Sequence, residues 1–252
     1  MGTDGDGMKW NCAIFDFDGT LFDSMYLWDT AAENYLMLQG KTARPDIREK
    51  VRELSLSEAA EYMRETYCLA GTAKEIACGV NQVIEHSYRD EVLPKTGVIP
   101  FLQEMRRREM QICIATATDR RLIEAALHRC GMEEFFDAIF TCGEVGHGKN
   151  EPEIYRCAMG HFGAQRSNTI IFEDAVHAVR TAKQDGFTVA AVFDESEENP
   201  DAVAALADFY FESFEREVCM RFWKWGADRM TEGSCSHMFR EPHPACVNGR
   251  ER

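Results

Sequence analysis

Short apolar runs, each closing on a polar residue and alternating with helical periods, constrain this chain more than any other feature. The first run is Cys12-Ala13-Ile14-Phe15-Asp16-Phe17, which ends at the turn signal Asp18-Gly19-Thr20. Four more follow Pro94: Ile112–Ala115, Ala138–Thr141, Thr169–Phe172 and Thr188–Val192. Between them the apolar spacing is helical, roughly over Val98–Arg108, Arg120–Cys130, Pro152–Phe162 and Ala175–Gln184. Gly131 and Gly186 stand where helices end, and Asn150 before Glu151-Pro152 suits a helix start. Strands alternating with helices pair in parallel and place helices on both faces. The spacing therefore predicts an α/β fold with a doubly wound, Rossmann-like parallel sheet as its core. Ligands of such sheets bind beyond the carboxyl ends of the strands, so the residues found there carry the functional question.

The stretch from Ser24 to Leu93 behaves differently. Met25, Trp28, Ala32 and Tyr35 recur on one helical face, and Arg52–Tyr67 and Thr72–Arg89 repeat the behaviour. Ile76, Val80, Val83 and Ile84 share one side of the last segment. No strand pattern interrupts the stretch, which predicts an all-helical insert at 24–93 within a core formed by 11–23 and 94–213. Residues 214–252 form a C-terminal extension that loses all periodicity from Gly233 onward, as a partly disordered tail does. A partner-binding helix over Glu215–Met230 is the alternative for its first part.

Composition narrows the function classes. The 252 residues carry 28 Lys+Arg against 43 Asp+Glu, a formal charge of −15 that repels nucleic-acid backbones. No apolar run approaches the roughly 20 residues of a membrane span. Met1–Trp10 is acidic and Gly-rich, without the apolar segment of a secretory signal. A soluble, cytoplasmic protein is expected, with neither nucleic acid nor membrane as partner; its oligomeric state stays open. Cys12, Cys68, Cys78, Cys113, Cys130, Cys142 and Cys157 sit singly in apolar stretches and read as reduced core thiols. Cys235, His237, His243 and Cys246 follow a C-x-H-x5-H-x2-C spacing that fits no zinc finger pattern.

At the predicted strand ends, reactive side chains gather. Asp16 and Asp18 are two apart on an extended chain and so share a side, with Gly19 allowing a sharp turn after them. The second run ends at the hydroxyl of Thr116, followed by Ala117-Thr118-Asp119, of which Thr118 and Asp119 suit the cap of the next helix. A glycine-rich loop, Gly143 to Gly148, delivers Lys149, and the fourth run ends in Glu173-Asp174. Carboxylates so crowded do not all ionise without a cation among them. An all-oxygen site with few protein ligands suits Mg²⁺, and the ion together with Lys149 would offset the charge of a phosphate. Phosphoryl transfer depends mainly on such positioning and electrostatic stabilisation.

These residues in this order resemble the haloacid dehalogenase superfamily of phosphohydrolases. Asp16-x-Asp18-Gly19-Thr20 matches its first motif, Thr116 its second, Lys149 its third and Glu173-Asp174 its fourth. The resemblance covers about residues 11 to 213. The helical stretch lies where members with a helical (C1-type) cap carry it, between the first and second motifs. It implies that Asp16 is the nucleophile, forming an aspartyl-phosphate, and that Asp18 protonates the leaving oxygen and later deprotonates water. Thr116 and Lys149 would hold the phosphoryl oxygens. Mg²⁺ would be ligated by the Asp16 carboxylate, the Asp18 carbonyl and Asp174, with Glu173 as an outer or additional ligand. Two places depart from the pattern: Asn150 stands where proline commonly follows the lysine, and Ala175 and Ala178 stand where many members have Ser and Gly.

Within the family, Asp18 disfavours dehalogenation, which needs no proton for its leaving group. The absence of lysine between Lys9 and Lys41 disfavours Schiff-base chemistry from the insert. The chain looks most like β-phosphoglucomutase and phosphoglycolate phosphatase members. Trp28 and Leu56 occupy the places of the mutases' cap histidine and basic residue. The resemblance thus implies a Mg²⁺-dependent phosphatase acting on a small phosphorylated metabolite. A sugar phosphomutase or a non-catalytic binding protein on the same fold are the alternatives. Met25, Tyr26 and Trp28 either line the pocket or pack the insert, helical spacing favouring the packing role for Trp28.

Overall fold

The computed structural model describes residues 10–52 and 54–228. The chain opens with β1 (Cys12–Phe15), leaves the sheet through the short strand β2 (Phe22–Asp23) and enters four helices: α1 (Met25–Leu38), α2 (Ile47–Arg52), α3 (Leu56–Tyr67) and α4 (Ala73–Asp90). It returns through β3 (Leu93–Pro94), which pairs antiparallel with β2, Phe22 opposite Pro94 and Asp23 opposite Leu93. Then follow α5 (Val98–Arg107), β4 (Gln111–Thr116), α6 (Arg120–Cys130), β5 (Ala138–Thr141), α7 (Cys142–Val145), α8 (Glu153–His161), β6 (Thr169–Glu173) and α9 (Val176–Gln184). Finally come β7 (Thr188–Val192), α10 (Pro200–Leu206), β8 (Phe209–Phe211) and α11 (Arg216–Asp228).

Six strands form one sheet in the order β5-β4-β1-β6-β7-β8, every pair parallel. The order reverses direction at β1, which lies between β4 and β6, so the two halves of the sheet wind away from it and a crevice opens at its end. The two-residue period of the strands builds two apolar layers. Ala13, Phe15, Ile112, Ile114, Ile170 and Phe172 point into one, and Cys12, Ile14, Cys113, Ala115 and Ile171 into the other. α5, α6 and α11 cover the first layer through Phe101, Leu127 and Phe222; α8, α9 and α10 cover the second through Tyr155, Val179 and Val203.

The helices α1–α4 carry their own start signals. Ser55 and Thr72 each form a capping box, with Glu58 and Glu75, at the starts of α3 and α4. α4 presents Ile76, Val80, Ile84 and Tyr88 as one buried face. Among the described residues no helix is long and apolar enough to cross a membrane.

Some local expectations change. Asn150 does not start a helix, because α8 begins after Pro152. Cys142–Val145, within the expected glycine-rich loop, makes a helical turn capped by the Thr141 hydroxyl and ended by Gly146. The eight described cysteines are all free, but Cys68, Cys78 and Cys157 are exposed rather than core thiols. Single apolar neighbours did not reveal which helix face Cys78 and Cys157 take, nor that Cys68 ends α3 as its cap. From residue 214 the chain continues into α11, whose Phe222 ring stacks on Trp10 at 5.3 Å and 5°. Trp223 lies under the Arg108 guanidinium at 4.7 Å. Cys235, His237, His243 and Cys246 lie outside the described residues.

Candidate active site

The register of the sheet sets three strand ends side by side. The Asp16 N–H donates to the Phe172 carbonyl at 2.9 Å, so the first aspartate leaves β1 level with the end of β6. The chain then turns at Gly19, whose φ is +76°. A Cβ there would stand 2.4 Å from Asp174 Oδ2, so only glycine admits this close approach. The next residue, Thr20, donates its hydroxyl to Asp174 Oδ1 at 2.7 Å and ties the first loop to the end of β6. Thr116 closes β4, and its hydroxyl accepts the Thr118 N–H at 3.1 Å. Lys149 arrives from the loop after α7. Asp16, Asp18, Thr116, Lys149, Glu173 and Asp174 are all buried and all line one cavity.

Lys149 Nζ lies 2.5 Å from Asp16 Oδ1 and donates to Glu173 Oε1 at the same distance. Tyr155 donates its hydroxyl to that Glu173 oxygen at 2.8 Å. Burial works against the lysine's charge, but the two carboxylates outweigh it and hold Lys149 protonated above its ordinary range. Burial also drives the Asp16 carboxyl upward; Lys149 pulls it back and Glu173 adds to the rise. Asp174 is pushed well up, first by burial and then by the charges of Asp16 and Glu173.

Asp18 sits in a different environment, with hydroxyls around it and no cation in contact among the described residues. Ser24 donates to Oδ1 at 2.6 Å, Tyr88 donates to the same oxygen, and Thr118 donates to Oδ2 at 2.6 Å. Burial and then the neighbouring Asp16 raise its carboxyl, while the three hydroxyls partly offset the rise. Two carboxyls of one loop therefore differ in role: one is paired with a cation, the other held among neutral donors.

The cavity, about 200 Å³, lies between these residues and the helices α1–α4. Its far wall is largely apolar, with Met25, Trp28, Val51, Leu54, Leu56, Met63 and Val80. The polar members there are Asp29 and Arg48, joined at 2.8 Å, while His177 enters from α9. Trp28 and Met25 line the pocket; Tyr26 is half exposed and does not. Leu56 also faces the cavity.

All six residues expected from the strand ends meet here. Of the two cap candidates read from the sequence, Asp119 does cap α6, accepting the Arg121 N–H, while Thr118 turns to Asp18 instead. Ser24, Tyr88 and Tyr155 were not foreseen. Ser24 lies six residues from Asp18, whereas Tyr88 and Tyr155 show only as apolar positions on helix faces.

Asp16, Glu173 and Asp174 each offer an oxygen, and these atoms lie within 4.8 Å of one another. Glu173 Oε2 is buried without a hydrogen-bond partner, a cost of about 1–3 kcal/mol that a ligand there would relieve. Three hard oxygen donors in so small a space fit a divalent cation.

The model of the family described as "Haloacid dehalogenase-like hydrolase" matches residues 13–192. A probable pseudouridine-5'-phosphatase of Drosophila melanogaster is 31% identical over 216 residues, covering 80% of this chain and 92% of its own. A phosphorylated carbohydrates phosphatase of Thermotoga maritima is 24% identical over 69% of this chain and 80% of its own. Among solved structures, β-phosphoglucomutase from Clostridium difficile superposes with a TM-score of 0.70 at 16% identity, covering 88% of this chain and 98% of that one, which speaks for the fold. A motif set gathered at the ends of three parallel strands and in the loop after α7, a matching family model and a relative aligned over 80% of this chain lead to one conclusion: the chain belongs to the haloacid dehalogenase-like hydrolases.

Proposed function

We propose that this protein is a Mg²⁺-dependent phosphatase that hydrolyses the monoester of a small phosphorylated metabolite through an aspartyl-phosphate on Asp16. The observation that carries the reading is the pairing of two unlike aspartates in one cavity, Asp16 against Lys149 and Asp18 among hydroxyls. The phosphatase names of the relatives above support it.

Asp16 attacks phosphorus as the bond to the leaving oxygen breaks, and Asp18 gives that oxygen its proton. The raised Asp18 carboxyl suits it to hold a proton beforehand. Asp18, now ionised, takes a proton from the water that attacks the aspartyl-phosphate, releasing phosphate and restoring Asp16. Lys149 and the Thr116 hydroxyl hold phosphoryl oxygens, and Lys149 keeps its charge throughout. Mg²⁺, held by Asp16, Asp174 and the Asp18 carbonyl with Glu173 beside them, would neutralise the phosphoryl oxygens and part of the carboxylate charge. The helices α1–α4 act as a cap that excludes bulk water and shapes the leaving-group pocket. The Arg48 guanidinium on the cavity wall is paired with Asp29, which weighs against a second phosphate and hence against a mutase. The free thiols of the described residues support a reducing, cytoplasmic setting.

Phosphate release from sugar phosphates, nucleotides and phosphoglycolate, with Mg²⁺ and with EDTA, tests the reading. Release should require the metal, and Asp16→Asn should reduce it by more than about 10³-fold. Full activity in the Asn variant would overturn the assignment of the nucleophile.

A further inference from the structure

Tyr88 is fully buried in the last turn of α4, seventy residues from Asp18 in sequence. Its ring lies against Phe17, centroids 6.3 Å apart and tilted by 23°. The hydroxyl accepts the indole N–H of Trp28 at 2.8 Å and donates to Asp18 Oδ1. An indole N–H can only donate and a phenol has a single proton. With the indole donating to it and the Asp18 carboxyl in front of it, the Tyr88 hydroxyl gives its proton to the aspartate. Ser24 donates to the same oxygen at 2.6 Å. Oδ1 thus has both of its acceptor positions taken and is in no position to carry a proton. Among the described residues Oδ2 meets only the Thr118 hydroxyl, which can rotate to donate or accept.

We propose that Tyr88, aimed by Trp28, is a positioning residue for the general acid: together with Ser24 it occupies Asp18 Oδ1 and reserves Oδ2 as the oxygen that delivers the proton. The inference rests on the acid role given to Asp18 above. In the first step the proton on Oδ2 passes to the leaving oxygen as the P–O bond breaks and the bond from Asp16 to phosphorus forms. The charge left on Asp18 meets two hydroxyls already pointing at Oδ1, so no dipole has to reorient. Trp28 also lines the cavity, so the residue that aims Tyr88 is one that a bound substrate meets.

Tyr88→Phe keeps the ring and deletes the donor. An alkoxide needs a proton to leave and p-nitrophenolate does not, so the two leaving groups separate positioning from general damage. kcat/KM on β-glycerophosphate should fall at least about tenfold, while that on p-nitrophenyl phosphate should change by less than about threefold. Trp28→Phe, which also loses a pocket contact and so lowers activity on both substrates, should shift the ratio of the two kcat/KM values in the same direction by less, and it serves if Tyr88→Phe fails to fold. In the double variant that ratio should shift no further than in Tyr88→Phe alone, because Trp28 acts on the acid through Tyr88. An unchanged ratio in Tyr88→Phe, or additive shifts of the ratio in the double variant, would overturn the proposal. Asp18→Asn in the same assay keeps the two readings apart. If it too fails to discriminate between the leaving groups, the acid role itself falls; if it discriminates and Tyr88→Phe does not, only the role of Tyr88 falls.

Discussion

The two walls of the cavity are built on opposite principles. The sheet side buries four carboxyls beside one lysine, which pairs with two of them, Asp16 and Glu173, and each is locked by a strand end or a tight loop. The helical side is mostly aliphatic, and the guanidinium of Arg48 there is tied up by Asp29. Charge buried at the sheet tolerates little change, because removing one partner strands the others in a low-dielectric site. Apolar lining tolerates exchange at modest cost as long as volume is kept. On the proposed reading the reacting groups are fixed on one wall, and the fit of the leaving group is adjustable over the aliphatic part of the other.

The contrast is open to direct attack. Lys149→Met should do the most damage, costing more than about 10²-fold in activity and about 3 kcal/mol of stability, read from kcat and from urea unfolding. In EDTA that variant should gain stability as pH falls toward 5. Asp16, already raised in the folded state, would lose its counter-charge and favour protonation, whereas it is ionised in the unfolded chain. A smaller effect is expected on the other wall: Leu56→Ala should move KM by about tenfold, with kcat within a factor of about three. A kcat loss to match that of Lys149→Met would erase the distinction between the walls. Next in size, Mg²⁺ at ten times its Kd should stabilise the protein by about 1.4 kcal/mol, and Asp174→Asn should abolish the shift. An exposed ion cluster sets the lower end. Glu104 on α5 is held at about 2 by Arg107, with Arg108 adding to the effect. Its folded value lies below the unfolded one, so its contribution is present above about pH 4.5 and is lost as pH falls through about 2. Glu104→Gln should cost at most about 1 kcal/mol at neutral pH after solvent screening, and the difference from the parent should vanish in strong acid.

The sheet side was readable from the chain because its signals are local. An apolar run that stops at Asp16, at Thr116 or at Glu173-Asp174 announces both the strand and the group at its end. β5 and β7 match the apolar runs residue for residue, as does α6 its helical spacing. Thr118 was misread because a hydroxyl two residues past a strand end serves a helix cap and a neighbouring carboxylate equally well on paper. Tyr88 and Tyr155 gave no local signal at all, since each earns its role only when a helix is laid against a strand far away in sequence. β8 was missed because Phe209-Tyr210-Phe211 is too short to show a period. α2 and α10 were missed for the same reason, at six and seven residues.

The antiparallel pair of β2 and β3 has a broader consequence. The chain departs at Asp23 and comes back at Leu93, two residues that face each other, and Lys95 pins the return to Asp194 at 2.8 Å. Excursion and return are thus about one strand spacing apart. For ends that already meet, added length enters the closure entropy only logarithmically, about 0.6 kcal/mol per doubling. The stretches between them that do not touch the sheet side can be lengthened or trimmed while every strand end keeps its place, whereas Tyr88, which reaches Asp18, and Trp28, which donates to Tyr88, have to stay. On the proposed reading, catalyst and selector are thus separable parts of one chain except where these two side chains join them.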